Sequence, residues 1–173
     1  MLSVKVIILV LLIFIFIQDI ISRAVYWLLF PVLTVLFIGL RLTDQSVAEI
    51  LRSSLVNNGF LAIQLLLVSL YFSFKKRRWV ILTQNLLGWG DILFLITAAF
   101  YVSTINFLFF YTISLTVTLF FWLIWQLLVN KSDSHIPLAG LQSLMLAMFL
   151  AGDWWWIHCD LTNDNWLVAL IIR

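Results

Sequence analysis

Charged residues are scarce in this chain. They make up 10% of its 173 residues, while hydrophobic residues make up 64%; a soluble domain is usually about a quarter charged and about half apolar. This composition excludes an ordinary soluble domain and indicates an integral membrane protein. The formal net charge of +2 is small, and most basic residues flank apolar runs, where they indicate membrane topology. Nucleic acid is therefore not an expected partner.

Cysteine and histidine are also rare, with one cysteine and two histidines in the chain. The single cysteine, Cys159, excludes an internal disulfide and any Cys-x-x-Cys zinc site. Of the two histidines, His135 lies in a polar loop and His158 has no matching ligands near it in the sequence. Tryptophan and phenylalanine are common at bilayer interfaces and in helix packing, and the sequence shows no ligand pair for a porphyrin or a quinone. No metal and no cofactor is expected.

The apolar runs predict an all-α integral membrane protein with about six transmembrane helices. A bilayer core about 30 Å thick requires roughly 20 apolar residues per helix, so a chain of this length has room for little else. We predict that residues 1–152 form the membrane domain and residues 153–173 a tail at the membrane interface. The predicted spans cover residues 3–17, 25–40, 60–74, 92–102, 105–129 and 137–151.

Local signals refine this layout. Pro31 lies inside the second predicted span, where a missing backbone hydrogen bond is expected to kink the helix. Ser46 and Glu49 have the spacing of a capping box, which predicts the start of a short amphipathic helix. The polar residues 57–59 are predicted to end that helix.

The strongest basic cluster, Lys75 to Arg78, predicts the orientation. Positive residues collect on the cytoplasmic side of a membrane, so this loop is expected to be cytoplasmic and the N-terminus to lie outside the cytoplasm. The cluster is also expected to contact anionic membrane lipid.

Two acids stand apart from the other six. Asp19 and Asp91 each adjoin an apolar run at the same predicted depth, where an ionised carboxylate is costly and indicates a functional site. Two carboxylates that approach closely cannot both ionise easily, so one keeps a proton and the pair can act as general acid and general base on water. Gly88 and Gly90 would let the backbone approach a partner helix or an extended substrate, or would serve only helix packing.

Three segments resemble one known family. The sequence Gly88-Trp89-Gly90-Asp91 resembles the Gly-x-Gly-Asp signature of the type IV prepilin peptidases, which are intramembrane aspartyl proteases. Asp19, at the end of the first predicted helix, resembles the segment of that family's first catalytic aspartate. The segment 136–140, which contains Pro137, resembles the family's Ile-Pro segment at the start of the last span. The resemblance extends from about residue 18 to residue 152.

The resemblance implies an endopeptidase that cleaves the leader peptide of prepilin-like or other single-span proteins at the cytoplasmic face of a prokaryotic inner membrane. Asp19 and Asp91 would be the catalytic residues, with Gly88, Gly90 and Pro137 in supporting positions. The family's cysteine-containing insert is absent, so peptidase activity is expected without methyltransferase activity. The sequence does not identify the substrate, its cleavage position or the oligomeric state.

Two other functions fit the same residues. The family usually has a lysine within two residues after the second aspartate, whereas Ile92 and Leu93 follow Asp91 here. A non-catalytic scaffold or assembly subunit that retains the peptidase fold is therefore one alternative. A small proton-coupled transporter is the other, since intramembrane acids also mark ion pathways.

Overall fold

A computed structural model describes residues 1–76, 88–129, 138–157 and 160–164. These residues form six α-helices and no strand, which confirms the predicted all-α fold class for the described part of the chain. The helices are α1 (Leu2–Ser22), α2 (Leu29–Arg41), α3 (Val47–Lys76), α4 (Trp89–Tyr101), α5 (Thr104–Val129) and α6 (Leu138–Gly152). A turn of π-helix, Asp153–Ile157, follows α6 directly.

Three helices are long and apolar enough to cross a membrane: Leu2–Ser22, Val47–Lys75 and Thr104–Ile124. The other three are shorter, since α2 and α4 have 13 residues each and α6 has 15. Because a straight crossing takes roughly 20 residues, length and composition support three membrane-crossing helices, where the sequence predicted about six.

Contacts between helices fix their relative directions. Helix α1 is antiparallel to α6, because Asp19 contacts Gly140 at one end of the pair and Lys5 lies over the Trp154 ring at the other. Helix α2 is parallel to α4, because the Phe30 carbonyl accepts from Thr97 and Arg41 reaches the carbonyl of Phe100. We call the end with Asp19 and Gly140 the aspartate end, and the end with Arg41 and Trp154 the arginine end.

The remaining helices continue the alternation of helix direction along the chain. The Asn57 side chain, on the first half of α3, donates to the carbonyls of Ala99 and Val102 where α4 ends. On α5, Phe110 packs against Phe149 near the end of α6, and Ser114, one turn further on, accepts from Gln142 near its start. Helices α1, α3 and α5 therefore run toward the aspartate end, and α2, α4 and α6 run away from it.

Two local predictions are wrong. Helix α2 begins at Leu29 rather than at residue 25, so Pro31 lies in the first turn, where its missing N–H has no partner within a helix in any case; the expected kink does not arise. The polar residues 57–59 do not end a helix, because α3 continues to Lys76. The amide of Asn57 is used across the helix interface instead of as a local cap.

The predicted capping box is confirmed. The Glu49 carboxylate accepts from the backbone N–H of Ser46 at 3.0 Å, and the Ser46 hydroxyl accepts from the N–H of Glu49 at 3.4 Å. This reciprocal pair starts α3 at Val47.

The distribution of apolar side chains on the described surface is compatible with a bilayer. Large apolar residues such as Val10, Phe74 and Phe120 are exposed on the outside of the bundle. Aromatic side chains are exposed at both ends, among them Trp27 at the aspartate end and Trp156, 87% exposed, beside the arginine end. Tryptophan and tyrosine favour the membrane–water interface, so these positions fit the two boundaries of a membrane domain.

Candidate active site

Asp19 faces the interior of the bundle because it continues the buried stripe of α1. Ile8, Leu12, Ile15 and Asp19 are the buried residues of this helix, and their spacing of three and four places them on one face. Asp19 is only 8% exposed. The helix ends just beyond it, where Arg23 adopts a left-handed conformation with φ of 52° and donates its N–H to the Asp19 carbonyl at 2.9 Å.

Asp91 is held by its position in the first turn of α4. One carboxylate oxygen accepts from the backbone N–H of Gly88 at 2.9 Å, which caps the helix N-terminus. Phe94, Leu95 and Ala98 follow it at intervals of three, four and seven residues and are buried. The side chain of Asp91 therefore lies on the face of α4 that packs into the bundle.

The N-terminus of α6 joins the two aspartates. The second oxygen of Asp91 accepts from the N–H of Ala139 at 2.7 Å, and Asp19 accepts from the N–H of Gly140 at 2.6 Å. Ala139 and Gly140 are consecutive, so the separation of the carboxylates is set by two adjacent peptide units. The carboxylate of Asp19 is close enough for its charge to act on Asp91.

The first turn of α6 is a suitable place for this pair. Its N–H groups have no partner within the helix, and the positive end of the helix dipole favours negative charge. Ser143 stabilises the turn by donating its hydroxyl to the Gly140 carbonyl at 2.7 Å. Two fixed donors thus offset part of the repulsion between two carboxylates in an apolar bundle.

The three glycines of the site differ in the space that the surrounding atoms leave for a side chain. A Cβ on Gly140 would lie 2.9 Å from a carboxylate oxygen of Asp19 and 3.0 Å from its Cβ. A Cβ on Gly88 would lie 3.2 Å from the Asp91 carboxylate, whereas at Gly90 the nearest described atom would be 4.0 Å away, on Phe30. The sequence suggested that Gly88 and Gly90 allow a close approach of the backbone to a neighbouring group. In the structure the closest approach is at Gly140.

Sequence reasoning assigned no role to the backbone of 139–140, which is what brings the aspartates together. The signal was a small-residue pair at the start of an apolar helix, too weak without a structure to indicate two hydrogen-bond donors.

Pro137, which was predicted to support the site, lies outside the described residues. Asp19, Asp91, Gly88 and Gly90 all lie at the aspartate end.

Protein-family models, curated protein sequences and solved structures give no match to this chain. A function for this chain therefore has to be argued from the arrangement of Asp19 and Asp91. Among the described residues, no group of three or more His, Cys, Asp or Glu side chains is placed to hold a metal ion. The chemistry available at the aspartate end is that of paired carboxylates.

Proposed function

We propose that this protein is an intramembrane aspartyl endopeptidase of the prepilin-peptidase type. The observation that carries the proposal is the convergence of Asp19 and Asp91, which lie 72 positions apart in the sequence, on the consecutive amides of Ala139 and Gly140. A purely structural role would not require two carboxylates at one buried helix N-terminus, because burying a charge is costly.

The pair can hydrolyse a peptide bond between them. The ionised carboxylate takes a proton from water, and the water oxygen attacks the carbonyl carbon of the scissile bond. The protonated partner gives its proton to the leaving nitrogen, and the carbon–nitrogen bond breaks to yield a carboxylic acid and an amine. The two roles are not divided between Asp19 and Asp91, since a coupled pair shares its protons.

The proposed substrate is a prepilin-like or other single-span protein. Exposed Tyr26, Trp27 and Trp89 at the aspartate end indicate the depth of a membrane interface. A substrate helix in the bilayer would present the bond just before its apolar segment at this depth. Ile92 and Leu93 follow Asp91, where the family usually has a lysine within two residues, so recognition of the leader in this chain depends on other residues.

The proposed arrangement in the membrane has six spans. In this arrangement Asp19, Asp91 and the N-terminus of α6 lie on one side of the membrane, which the alternating helix directions support. The basic cluster at 75–78 favours the cytoplasm of a prokaryotic cell as that side. In a Cys159→Ser background, a membrane-impermeant thiol reagent added to intact cells should label Leu42→Cys, near the arginine end, and leave Asp133→Cys unlabelled. The reverse pattern would contradict the orientation.

Cleavage of a reporter tests the function directly. The full chain is co-reconstituted with a single-span protein that carries a basic leader, and the released leader is measured. Asp19→Asn and Asp91→Asn should each reduce cleavage by at least a hundredfold, because one missing carboxylate removes a proton-transfer step. The matched control is Glu49→Gln, which removes an acid at the arginine end but can still form the capping box.

The same variants distinguish the two alternatives. A scaffold would bind its partner equally well with either asparagine, and a proton-coupled transporter would lose ion flux while no leader is released. Full cleavage by both single variants would overturn the peptidase proposal.

A further inference from the structure

The arginine end contains a cavity that the proposed peptidase site does not use. Its volume is about 240 Å³, far more than a single water molecule needs. Tyr101 and Trp154 form aromatic parts of its wall. The charged side chains that line it are Lys5, Arg41, Asp44, Asp153 and Asp160.

Arg41 brings a buried positive charge to this cavity. It is only 3% exposed, and its guanidinium donates to the side-chain oxygen of Gln45, the carbonyl of Phe100 and the hydroxyl of Ser53. All these acceptors are neutral, so acidic side chains act on Arg41 only through space. A buried cation solvated by dipoles alone favours an anion nearby.

Lys5 adds a second cation to the wall. Its ammonium lies 5.2 Å from the centroid of the Trp154 ring, a distance at which a cation and a ring attract each other. The Trp154 ring is fixed in turn, since its indole N–H donates to the Tyr101 hydroxyl at 3.1 Å. Lys5 therefore covers one aromatic surface that could otherwise have held a quaternary ammonium.

The acids retain unused acceptor capacity. Asp160 accepts from the N–H and hydroxyl of Thr162 through a single oxygen, and Asp44 accepts from Thr43 through a single oxygen. A carboxylate has about four acceptor sites, so in the described part of the chain each of these side chains has an oxygen to offer a ligand. A primary ammonium, with three donors, suits such oxygens.

From these contacts we infer that the cavity binds a zwitterion with a phosphate and a primary ammonium, as in a phosphatidylethanolamine headgroup. The phosphate lies toward Arg41 and Lys5, and the ammonium lies toward Asp44 and Asp160. Exposed Trp155 and Trp156 directly follow Trp154 of the cavity wall, and tryptophans of this kind favour the depth of lipid headgroups. This inference does not depend on peptidase activity.

Lipid retention tests the inference. The full chain is purified in detergent, mixed with phosphatidylethanolamine, phosphatidylcholine or phosphatidylglycerol, and bound lipid is counted by native mass spectrometry. We expect at least tenfold tighter binding of phosphatidylethanolamine than of the other two, because choline has no N–H and glycerol has no charge. Soluble phosphoethanolamine, added as a competitor, shows whether the headgroup alone supplies the binding.

Two variants and a control complete the test. Lys5→Gln removes the cation over Trp154, which faces the phosphate that all three lipids share, and should weaken the binding of each. Asp160→Asn keeps the local turn but removes a charge that faces the ammonium, and should remove the preference for phosphatidylethanolamine. Lys75→Gln, at the other end of the bundle, should leave it unchanged. Equal retention of all three lipids, or a preference that survives Asp160→Asn, would overturn the inference, as would inorganic phosphate that competes as well as phosphoethanolamine.

Discussion

The carboxylate of Asp19 occupies the space that a side chain on residue 140 would need. One Asp19 oxygen accepts from the N–H of Gly140 at 2.6 Å, and an added Cβ on Gly140 would meet the same carboxylate at 2.9 Å. Real Cβ atoms essentially never approach another heavy atom this closely. The position of the carboxylate and the absence of a side chain at residue 140 therefore depend on each other.

Gly140→Ala should therefore damage the site more than Gly90→Ala. The new methyl group would displace Asp19 from its amide donor, and we expect cleavage to fall by at least tenfold. At Gly90 the nearest described atom to a methyl group would belong to Phe30, at an ordinary contact distance of 4.0 Å, so no clash arises and cleavage should stay within about twofold. Leader release by the two variants at matched expression gives the comparison, and equal activities would contradict the observed packing.

The same proximity predicts a disulfide. In a Cys159→Ser background, Asp19→Cys combined with Gly140→Cys should crosslink on mild oxidation, since the two Cβ atoms would start 3.0 Å apart and a disulfide needs about 3.8 Å. The reaction is followed with a protease site inserted between the helices and gel electrophoresis without reductant. Gly39→Cys, on α2 with no neighbour within 4 Å, is the control partner. Crosslinking to residue 39 but not to residue 140 would show that the described packing of α1 and α6 is wrong.

Asn57 should contribute to stability through its two interhelical bonds. Its side-chain amide donates to the carbonyls of Ala99 at 3.1 Å and Val102 at 2.9 Å, where α4 ends. Asn57→Leu leaves both carbonyls without this donor, and we expect the free energy of unfolding to fall by about 1–3 kcal/mol. Reversible unfolding in mixed micelles gives the value. Asn58→Leu is the neighbouring control, because among the described residues the Asn58 side chain donates to Ser54 within its own helix. An equal loss for both variants would contradict the interhelical role.

The sequence was sufficient for the fold class because the apolar composition and the acid pattern are strong signals. The buried stripe of α1 is readable from the spacing of Ile8, Leu12, Ile15 and Asp19, and the capping box at Ser46 and Glu49 follows from local chemistry alone. The start of α2 and the end of the polar segment in α3 were not predictable in this way. Asn57 was expected to end a helix, but its side chain bonds to the end of α4 instead. Pro31 was expected to kink a helix, but it lies in the first turn of α2.

The two acids of the candidate site were predictable from the sequence, but the backbone groups that hold them were not. Asp19 and Asp91 are conspicuous because charge is rare in this chain, so their selection required only the sequence. Their meeting depends on two backbone N–H groups of α6, and a backbone donor has no residue-specific signature. The tight requirement for glycine at residue 140 arises from the packing of α1 against α6, which no pattern within either helix reveals.

Asp164 should hold the start of α5 in place. Its carboxylate accepts from the Ser103 hydroxyl at 2.6 Å and from the N–H groups of Ile105 and Asn106 at 3.0 Å and 3.2 Å. Residues 105 and 106 are in the first turn of α5, so Asp164 acts as an N-cap supplied from a distant part of the chain, with its charge at the favourable end of the helix.

Asp164→Ala removes both the acceptor and the charge, and the free energy of unfolding should fall by about 1–2 kcal/mol. Asp164→Asn keeps an acceptor oxygen and should recover most of that loss, since asparagine caps helices about as well as aspartate. Unfolding in mixed micelles measures both variants against the parent chain. Cleavage activity at the aspartate end, measured below the unfolding transition, should be unchanged in each, because the hydrogen bonds of Asp164 to Ser103 and to the first turn of α5 lie at the arginine end. If Asp164→Ala were as stable as the parent, the contacts of residues 160–164 with α5 would contribute nothing to the fold.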